Sequence, residues 1–474
     1  MRQIRYSKVP AQTIDFSQSK DHSVTLRNDA IEIWKAGVLA ADSAAAVRRQ
    51  VHCCGNSLTI AGRTIDLSAM GRLEVVGAGK AGAGMAAGIE QALSGTEFFE
   101  RLTGWINVPE DCVRPLQKIH LHGGRPAGLN EPTQAVIQGT QEILRRVSAL
   151  GPKDMCVVLL SGGGSALLCS PVPEITLEDK LSVTRLLSAS GAPIHELNLV
   201  RTQLSLVKGG RLASACRAGL LVTLIVSDVI GDPLDVIGSG PTFPVHARTE
   251  AAIAVLERRG LMGRVPEKVA EFLQQPAHHG APVTSELIHQ IVASNTESLH
   301  AAAGKAQQLG YLVADPLRDI RGAASVEGQN FLKTLISLGE GALTASKATK
   351  GLCLLAGGET TVNVASAGVE AGKGGRNQEF VLAAAVANPD PAAWGRMVIL
   401  SGGTDGEDGP TNAAGALCDA EIMRAIATQG LQAADALRRH DAWTFFQRVS
   451  GLLVTGPTHT NVMDLAVGLI CPRQ

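Results

Sequence analysis

Charged side chains set among glycines are the part of this sequence equipped for chemistry, and they recur along the chain. Lys80 lies inside Gly77-Ala-Gly79-Lys80-Ala-Gly82, and a second glycine run reads Ser161-Gly162-Gly163-Gly164-Ser165. Lys208-Gly-Gly-Arg211 follows, and then Asp228, Asp232 and Asp235 at short intervals. Later in the chain Glu359 comes after Ala-Gly-Gly, while Asp405, Glu407 and Asp408 come after Ser401-Gly-Gly. Between them lies Lys373-Gly-Gly-Arg376-Asn377-Gln-Glu379. Unobstructed backbone amides beside a cation hold anions, and a planar guanidinium grips a carboxylate or phosphate bidentately. Closely spaced carboxylates repel unless a cation shares the site, which suits Mg²⁺ carried with phosphates. One of them could instead take a proton from a substrate hydroxyl. The plainer readings are a packed strand-to-helix turn for the glycines, turn-forming Asp at Asp232 before Pro233, and a surface ion pair for Arg376.

These residues need elements to place them. Apolar runs at residues 72–76, 105–108, 155–160, 220–226, 291–293, 311–314, 352–355, 397–400 and 452–454 read as strands. Several are continuously apolar, as in strands buried on both faces. Helical spacing runs from Asn28 to Ala46, with Ile31, Trp34, Val38 and Leu39 on one face. It recurs over 134–150, 177–190 and 298–309, and from Arg376 onward. Strands alternating with helices predict parallel sheets in βαβ units, whose ligands bind outside the carboxyl ends of the strands. We expect an extension over 1–27, one α/β domain over 28–284 and a second over 285–474.

The 474 residues carry a formal net charge of -1 and only 3% aromatics. Both argue against a nucleic-acid or membrane-surface partner and for a small, locally recognised one. Nine cysteines without a CxxC, several in apolar runs, suit a reducing cytoplasm. No stretch has the roughly 20 apolar residues of a membrane span. Monomer and homo-oligomer both remain open. Gly77, Gly79 and Gly82 satisfy the dinucleotide fingerprint, with Glu110 near the place of its acid. Lys80 inside that loop points instead to contact with a carboxylate or a transferring phosphoryl group. No GxSxG elbow occurs, and His122 and His459 read as loop residues rather than general bases.

The stretches VGAGKAGAGMA, SGGGSALL, LNLVRTQLSLVKGGRLA, SDVIGDPLDVIGSGPT, AGGETTV, GKGGRNQEF, SGGTDGEDGPTNAAGA and TGPTHTNVMDL together resemble the class II glycerate 2-kinases. The C-terminal part of that family is called the MOFRL domain. The resemblance runs over residues 76–465. It implies a Rossmann-like N-terminal domain and a smaller C-terminal MOFRL domain, with the active site in the cleft between them. It further implies ATP as phosphoryl donor, D-glycerate as acceptor at its 2-hydroxyl, and a Mg²⁺ requirement. By motif match Lys80 and Arg376 are the functional cations and Asp228 the functional acid. Substrate and phosphate contacts are expected from Gly79, the 161–165 loop (Ser161, Gly162, Gly163, Gly164, Ser165), Asn198, Lys208 and Ser239. Asn377, Glu379, Thr404, Thr411 and Asn461 complete that set. One or more of Asp235, Glu359 and Asp405 is expected to hold Mg²⁺.

The chain departs from the family pattern in three places. Arg125-Pro-Ala-Gly-Leu-Asn130 stands where the family often has His-Pro-x-Pro-Asp, Thr202-Gln203 replaces a basic pair, and the approach through 367–373 is longer. Some family members carry the name hydroxypyruvate reductase, so an NAD(P)H-dependent reductase is the alternative enzyme. A non-catalytic carboxylate-binding protein is the alternative outside enzymology.

Overall fold

The computed structural model describes residues 22–126, 129, 131–245, 249–275, 281–345, 350–363 and 372–473. The first sheet is six-stranded and parallel throughout. Its spatial order is Ile119–Arg125, Leu102–Pro109, Leu73–Ala78, Met155–Leu160, Leu220–Val226, Glu286–Ala293. Counted along the chain this is 3-2-1-4-5-6, the doubly wound Rossmann order. Burial follows the pleat. Val75, Val157, Leu159, Val222 and Leu224 join one apolar cluster, and Val76, Ala78, Val158, Leu160 and Ile225 join another on the opposite face. Side chains alternate across a strand, so a sheet covered on both faces needs apolar residues at every position. A helical lobe formed by residues 172–204 and 252–273 has its own core, including Val183, Leu187, Val255 and Phe272.

The second sheet departs from the all-parallel expectation. It runs Tyr311–Val313, Gly351–Gly358, Asp464–Ile470, Met397–Gly403, Gly415–Cys418, Leu452–Leu453, with Leu317–Ile320 also beside Gly351–Gly358. The last strand, Asp464–Ile470, is inserted at the centre and is antiparallel to both neighbours. Its sequence DLAVGLI follows a polar loop and precedes only four residues, so nothing in the alternation of elements announced it.

Two domain limits shift. Glu286–Ala293 pairs with Leu220–Val226, so the first sheet extends past the boundary expected at 284/285. The first helix spans His22–Ala40, beginning before Asn28 and ending at a break. Asp42 then caps a second short helix, Ser43–Arg48. Leu26, Ala30, Ile33, Trp34 and Val38 of the first helix lie in the core of the second domain, and Arg27 holds Asp419 at 2.6 and 2.8 Å. Leu39, expected on the apolar face, is 71% exposed. This helix therefore crosses from the start of the chain to the far domain and ties the two together.

Trp34 is 1% exposed and donates its indole N–H to the Gly402 carbonyl at 3.3 Å. Trp34→Ala is expected to cost about 3–5 kcal/mol, as for other large core truncations. A urea midpoint lowered at unchanged m would verify it; an unaltered midpoint would place the helix outside the cooperative core.

Candidate active site

In a 3-2-1-4-5-6 sheet the chain leaves in opposite directions from the first and fourth strands, and the crevice between their carboxyl ends is the natural binding place. Here those ends are Gly77-Ala-Gly79-Lys80 and Leu160-Ser161-Gly162. The two loops lie unusually close. A Cβ at Gly77 would overlap the Leu159 carbonyl, and one at Gly79, whose φ is +146°, would overlap the Ser161 hydroxyl. Lys80 donates its backbone N–H to the Gly162 carbonyl at 2.8 Å, and Ala81 donates to Ser161 Oγ at 3.0 Å. The fingerprint glycines thus serve packing against the neighbouring strand, and their tightness projects the Lys80 side chain into the crevice.

Asp228 ends the next strand over. A Cβ placed on Gly162 would strike its carboxylate and lie 2.9 Å from Asn461 Nδ2, so Gly162, Asp228 and Asn461 converge. Burial pushes the Asp228 carboxyl up to about 6; Glu359 adds repulsion, Lys80 opposes it and Asp405 adds more. Two of those charges come from the second domain. Lys80 Nζ also stands 3.7 Å from Asp405 and 4.0 Å from Glu407. The first-domain crevice therefore faces the acid-bearing loops of the second domain, as expected of a cleft site.

The second-domain side is built on one register. Asp464 pairs with both Gly358 and Gly403, standing between the two strands that deliver Glu359 and Asp405. Arg376 opens the helix Arg376–Ala387 and binds Asp464 through Nε at 2.6 Å and Nη2 at 3.0 Å. Its remaining arm meets Glu359 at 2.9 Å. Burial works to lower the Arg376 pKa, but Asp464 and then Glu359 outweigh it and hold the guanidinium firmly charged. Asp464 is the residue that sequence reasoning missed. It lay in the TGPTHTNVMDL stretch, but a carboxylate at the head of an unforeseen strand carried no signal of its partner.

Several expected contacts belong instead to the framework. Asp408 is 1% exposed and accepts N–H bonds from Asn377 at 3.0 Å and Gln378 at 2.9 Å. It caps the Arg376 helix, and burial pushes its carboxyl up to about 7. Asn377 is buried, donating to Asp464 at 2.9 Å and accepting from Ser401 at 2.6 Å. Thr404 accepts from the Val462 N–H and donates to the Met463 carbonyl, and Thr411 donates to the Asp408 carbonyl. Glu379 is buried against His440 Nδ1 at 2.7 Å. These five prop the loops that carry Arg376 and Asp405.

Asp235 is exposed and lines a separate hollow with Asn198 and Ser239, apart from Glu359 and Asp405. Among the described residues, no three His, Cys, Asp or Glu side chains are grouped to hold a metal by themselves. Of the three acids among which a Mg²⁺ ligand was expected, Asp235 is therefore not brought to Glu359 and Asp405. His122 lies on the strand Ile119–Arg125 rather than in a loop, with Nε2 2.9 Å from the Ala135 carbonyl; His459 is in a loop. Of the departures, residues 127, 128 and 130 and most of 367–373 fall outside the described residues, while Thr202 and Gln203 are buried. Among the described residues no helix is long and apolar enough to cross a membrane.

A doubly wound domain facing a cation- and acid-bearing second domain across a cleft defines a two-domain α/β enzyme acting on small anions. Residues 29–274 match the model described as a domain of unknown function (DUF4147), and residues 352–464 match the MOFRL family. A "Glycerate kinase" of Danio rerio is 34% identical over 94% of this chain and 98% of its own length. A "Glycerate 2-kinase" of Pyrococcus horikoshii is 32% identical, covering 95% and 99%. The crystal structure of a glycerate kinase from Thermotoga maritima superposes with a TM-score of 0.78 at 31% identity, covering 94% of this chain and all of that one. A relative bearing the name hydroxypyruvate reductase also matches. The chain belongs to the glycerate kinase family.

Removing the Asp464 carboxylate leaves Arg376 with Glu359 alone and the Asn377 amide with only its longer bond to Asp408 at 3.3 Å. Asp464→Ala is expected to lower stability by about 3 kcal/mol, the lower end for a broken buried pair. Denaturant titration reads this directly, and a shift below about 0.5 kcal/mol would mean that Glu359 alone holds the arginine.

Proposed function

We propose that this protein transfers the γ-phosphoryl group of ATP to the 2-hydroxyl of D-glycerate, giving 2-phospho-D-glycerate and ADP. The observation that carries the reading is the meeting of Lys80 and Asp228, from the Rossmann switch point, with Glu359, Arg376 and Asp405 across the cleft. Phosphoryl transfer asks a protein for positioning and charge neutralisation rather than covalent chemistry, and this is what such a set supplies.

Asp228 is suited to the acceptor hydroxyl. Its carboxyl, pushed up to about 6, is ionised at neutral pH yet a better base than an exposed aspartate. Lys80 sits beside it, able to neutralise charge gathering on the equatorial oxygens of the transferred group. Arg376, clamped by Asp464, holds a fixed direction and would reach substrate only through the arm now on Glu359. The cluster of Asp228, Glu359 and Asp405, with its mutual repulsion, fits a Mg²⁺ that arrives with nucleotide phosphates and takes one or two carboxylates, not a dedicated cage. Bound there, Mg²⁺ would neutralise charge on the phosphate oxygens. Asp235 is not part of this assignment.

The reductase reading fares less well. It needs the Gly77–Gly82 turn open to a pyrophosphate, whereas Gly77 and Gly79 are filled by the Leu159 carbonyl and the Ser161 hydroxyl. Position 2 of glycerate is supported by the glycerate 2-kinase name of the Pyrococcus relative.

Purified protein with D-glycerate, ATP and Mg²⁺ should release ADP, and phosphorus NMR of the product should show the 2-phosphate. Oxidation of NADH by hydroxypyruvate without ADP formation would sink the kinase reading. Lys80→Ala is expected to lower kcat on the order of 10²–10³-fold, and Asp228→Asn roughly 10²–10⁴-fold. Near-normal turnover in either variant would remove that residue from the chemistry.

A further inference from the structure

Arg376 of the second domain is fully occupied, whereas three buried cations of the first domain have no carboxylate partner among the described residues. Arg376 has three of its donors on Asp464 and Glu359. Around the 163–165 loop, by contrast, stand Arg125, Arg201 and Lys208, none within salt-bridge distance of a carboxylate among the described residues. Arg125 ends the strand Ile119–Arg125 and is 1% exposed, yet its Nε and Nη2 have no hydrogen-bond partner. Asp111 is the carboxylate whose field reaches it, without contact. Arg201 Nε is likewise buried and unpartnered, while its Nη2 donates to Ser165 Oγ at 2.7 Å. Lys208, 1% exposed, donates to the same Oγ at 2.8 Å and to the Ser165 carbonyl at 2.9 Å.

Buried N–H donors are nearly always satisfied, and buried charges are nearly always paired. Lys208 meets its hydrogen bonds on Ser165 and Ser239 but not its charge, while Arg125 and Arg201 leave both donors and charge unanswered, which is how a site looks when its partner is a ligand. The orphan donors flank one loop. Arg125 Nη2 lies 3.2 Å, and Lys80 Cγ 3.5 Å, from the point where a Cβ on Gly163 would stand. Having no side chain there leaves that point free. Ser165 and Gly163 are only half-buried, so the loop is reachable from the cleft. Burial, then the neighbouring Arg201 and Lys180, hold the Lys208 pKa well below that of a free lysine, a penalty an arriving anion would relieve.

We infer that Arg125, Arg201 and Lys208, with Gly163 and Ser165, form a binding subsite for a small oxyanion brought by one of the two substrates. This rests on the kinase reading only for the identity of the substrates, whose shared chemistry is a carboxylate or phosphoryl oxygen. Arg125 opens one of the departures from the family pattern, and Thr202-Gln203, directly after Arg201, is another.

Thermal unfolding of the full chain in sodium phosphate, against sodium chloride of equal ionic strength, tests the site without turnover. Phosphate should raise Tm saturably in the wild type, and Arg201→Gln and Arg125→Met should lose that rise. Arg201→Gln, at a partly exposed position, covers the case in which the buried Arg125 variant fails to fold. Calorimetric titration of each folded variant should show affinity weakened by about tenfold or more for one substrate, the loss typical of a charged hydrogen bond. Loss for D-glycerate names the carboxylate, and loss for ATP names a phosphoryl group. Phosphate no better than chloride, or wild-type affinity for both substrates in the variants, overturns the subsite. Phosphate binding at these residues in a protein that forms no ADP would instead overturn the kinase reading and leave the subsite standing.

Discussion

One carboxylate, Asp464, fixes the second half of the cleft. It is the first residue of a strand laid antiparallel between Gly351–Gly358 and Met397–Gly403, opposite Gly358 on one side and Gly403 on the other. That register sets Glu359 and Asp405 on either flank and puts the Arg376 guanidinium on Asp464 by two hydrogen bonds. A slip of one residue would turn Asp464 to the other face of the sheet and release the arginine. The glycines ending the two flanking strands leave no room for side chains of their own: a Cβ at Gly358 would overlap the Ile320 carbonyl, and one at Gly403 would overlap the Glu407 carbonyl. The helix cap at Asp408, the Asn377 amide and the Ser401 hydroxyl then close a buried network around this one anion.

Much of the first domain was legible because its physics is local. A strand buried on both faces is a continuous apolar run, and residues 155–160 and 220–226 read correctly to the residue. The strand Ile119–Arg125 escaped because IHLHGGR is polar and glycine-rich, as an edge strand can be. The central strand of the second sheet escaped for a different reason: alternating strands and helices suggest crossovers, and a lone final strand has none. The helix His22–Ala40 was readable as a helix, but its home in the second domain depends on contacts hundreds of residues away.

The candidate site was legible as a set of loops and not as a set of roles. Lys80, Glu359, Arg376 and Asp405 were found from charge beside glycine and Asp228 from its place after a buried strand, and the fold brings them to one cleft. Asn377, Thr404 and Thr411 look identical in sequence whether they face a ligand or brace a loop, and here they brace loops. Asp235 follows Asp228 by seven residues, but the backbone turns through Gly231 and left-handed Asp232, at φ 53°, and carries it to another hollow. Arg125 and Arg201 could not be singled out, since an unpaired buried cation is defined by what is missing around it.

The contact that bridges the cleft is weak by construction. Lys80 approaches Asp405 at 3.7 Å and Glu407 at 4.0 Å, and about a third of its side chain is exposed. Pairs of this length and exposure contribute little, because water screens them and the lysine stem must be held still. Arg376, by contrast, is held at 2.6 Å by a carboxylate that is 8% exposed. The Arg376 direction is thus secured by a short buried pair, while the ion pair across the cleft is left loose. An anion at Lys80 would therefore displace these acids at small cost, without disturbing the buried contacts that join the domains elsewhere, such as Val462 in the core of the first domain. Of the two cations facing the cleft, Lys80 is held less firmly than Arg376.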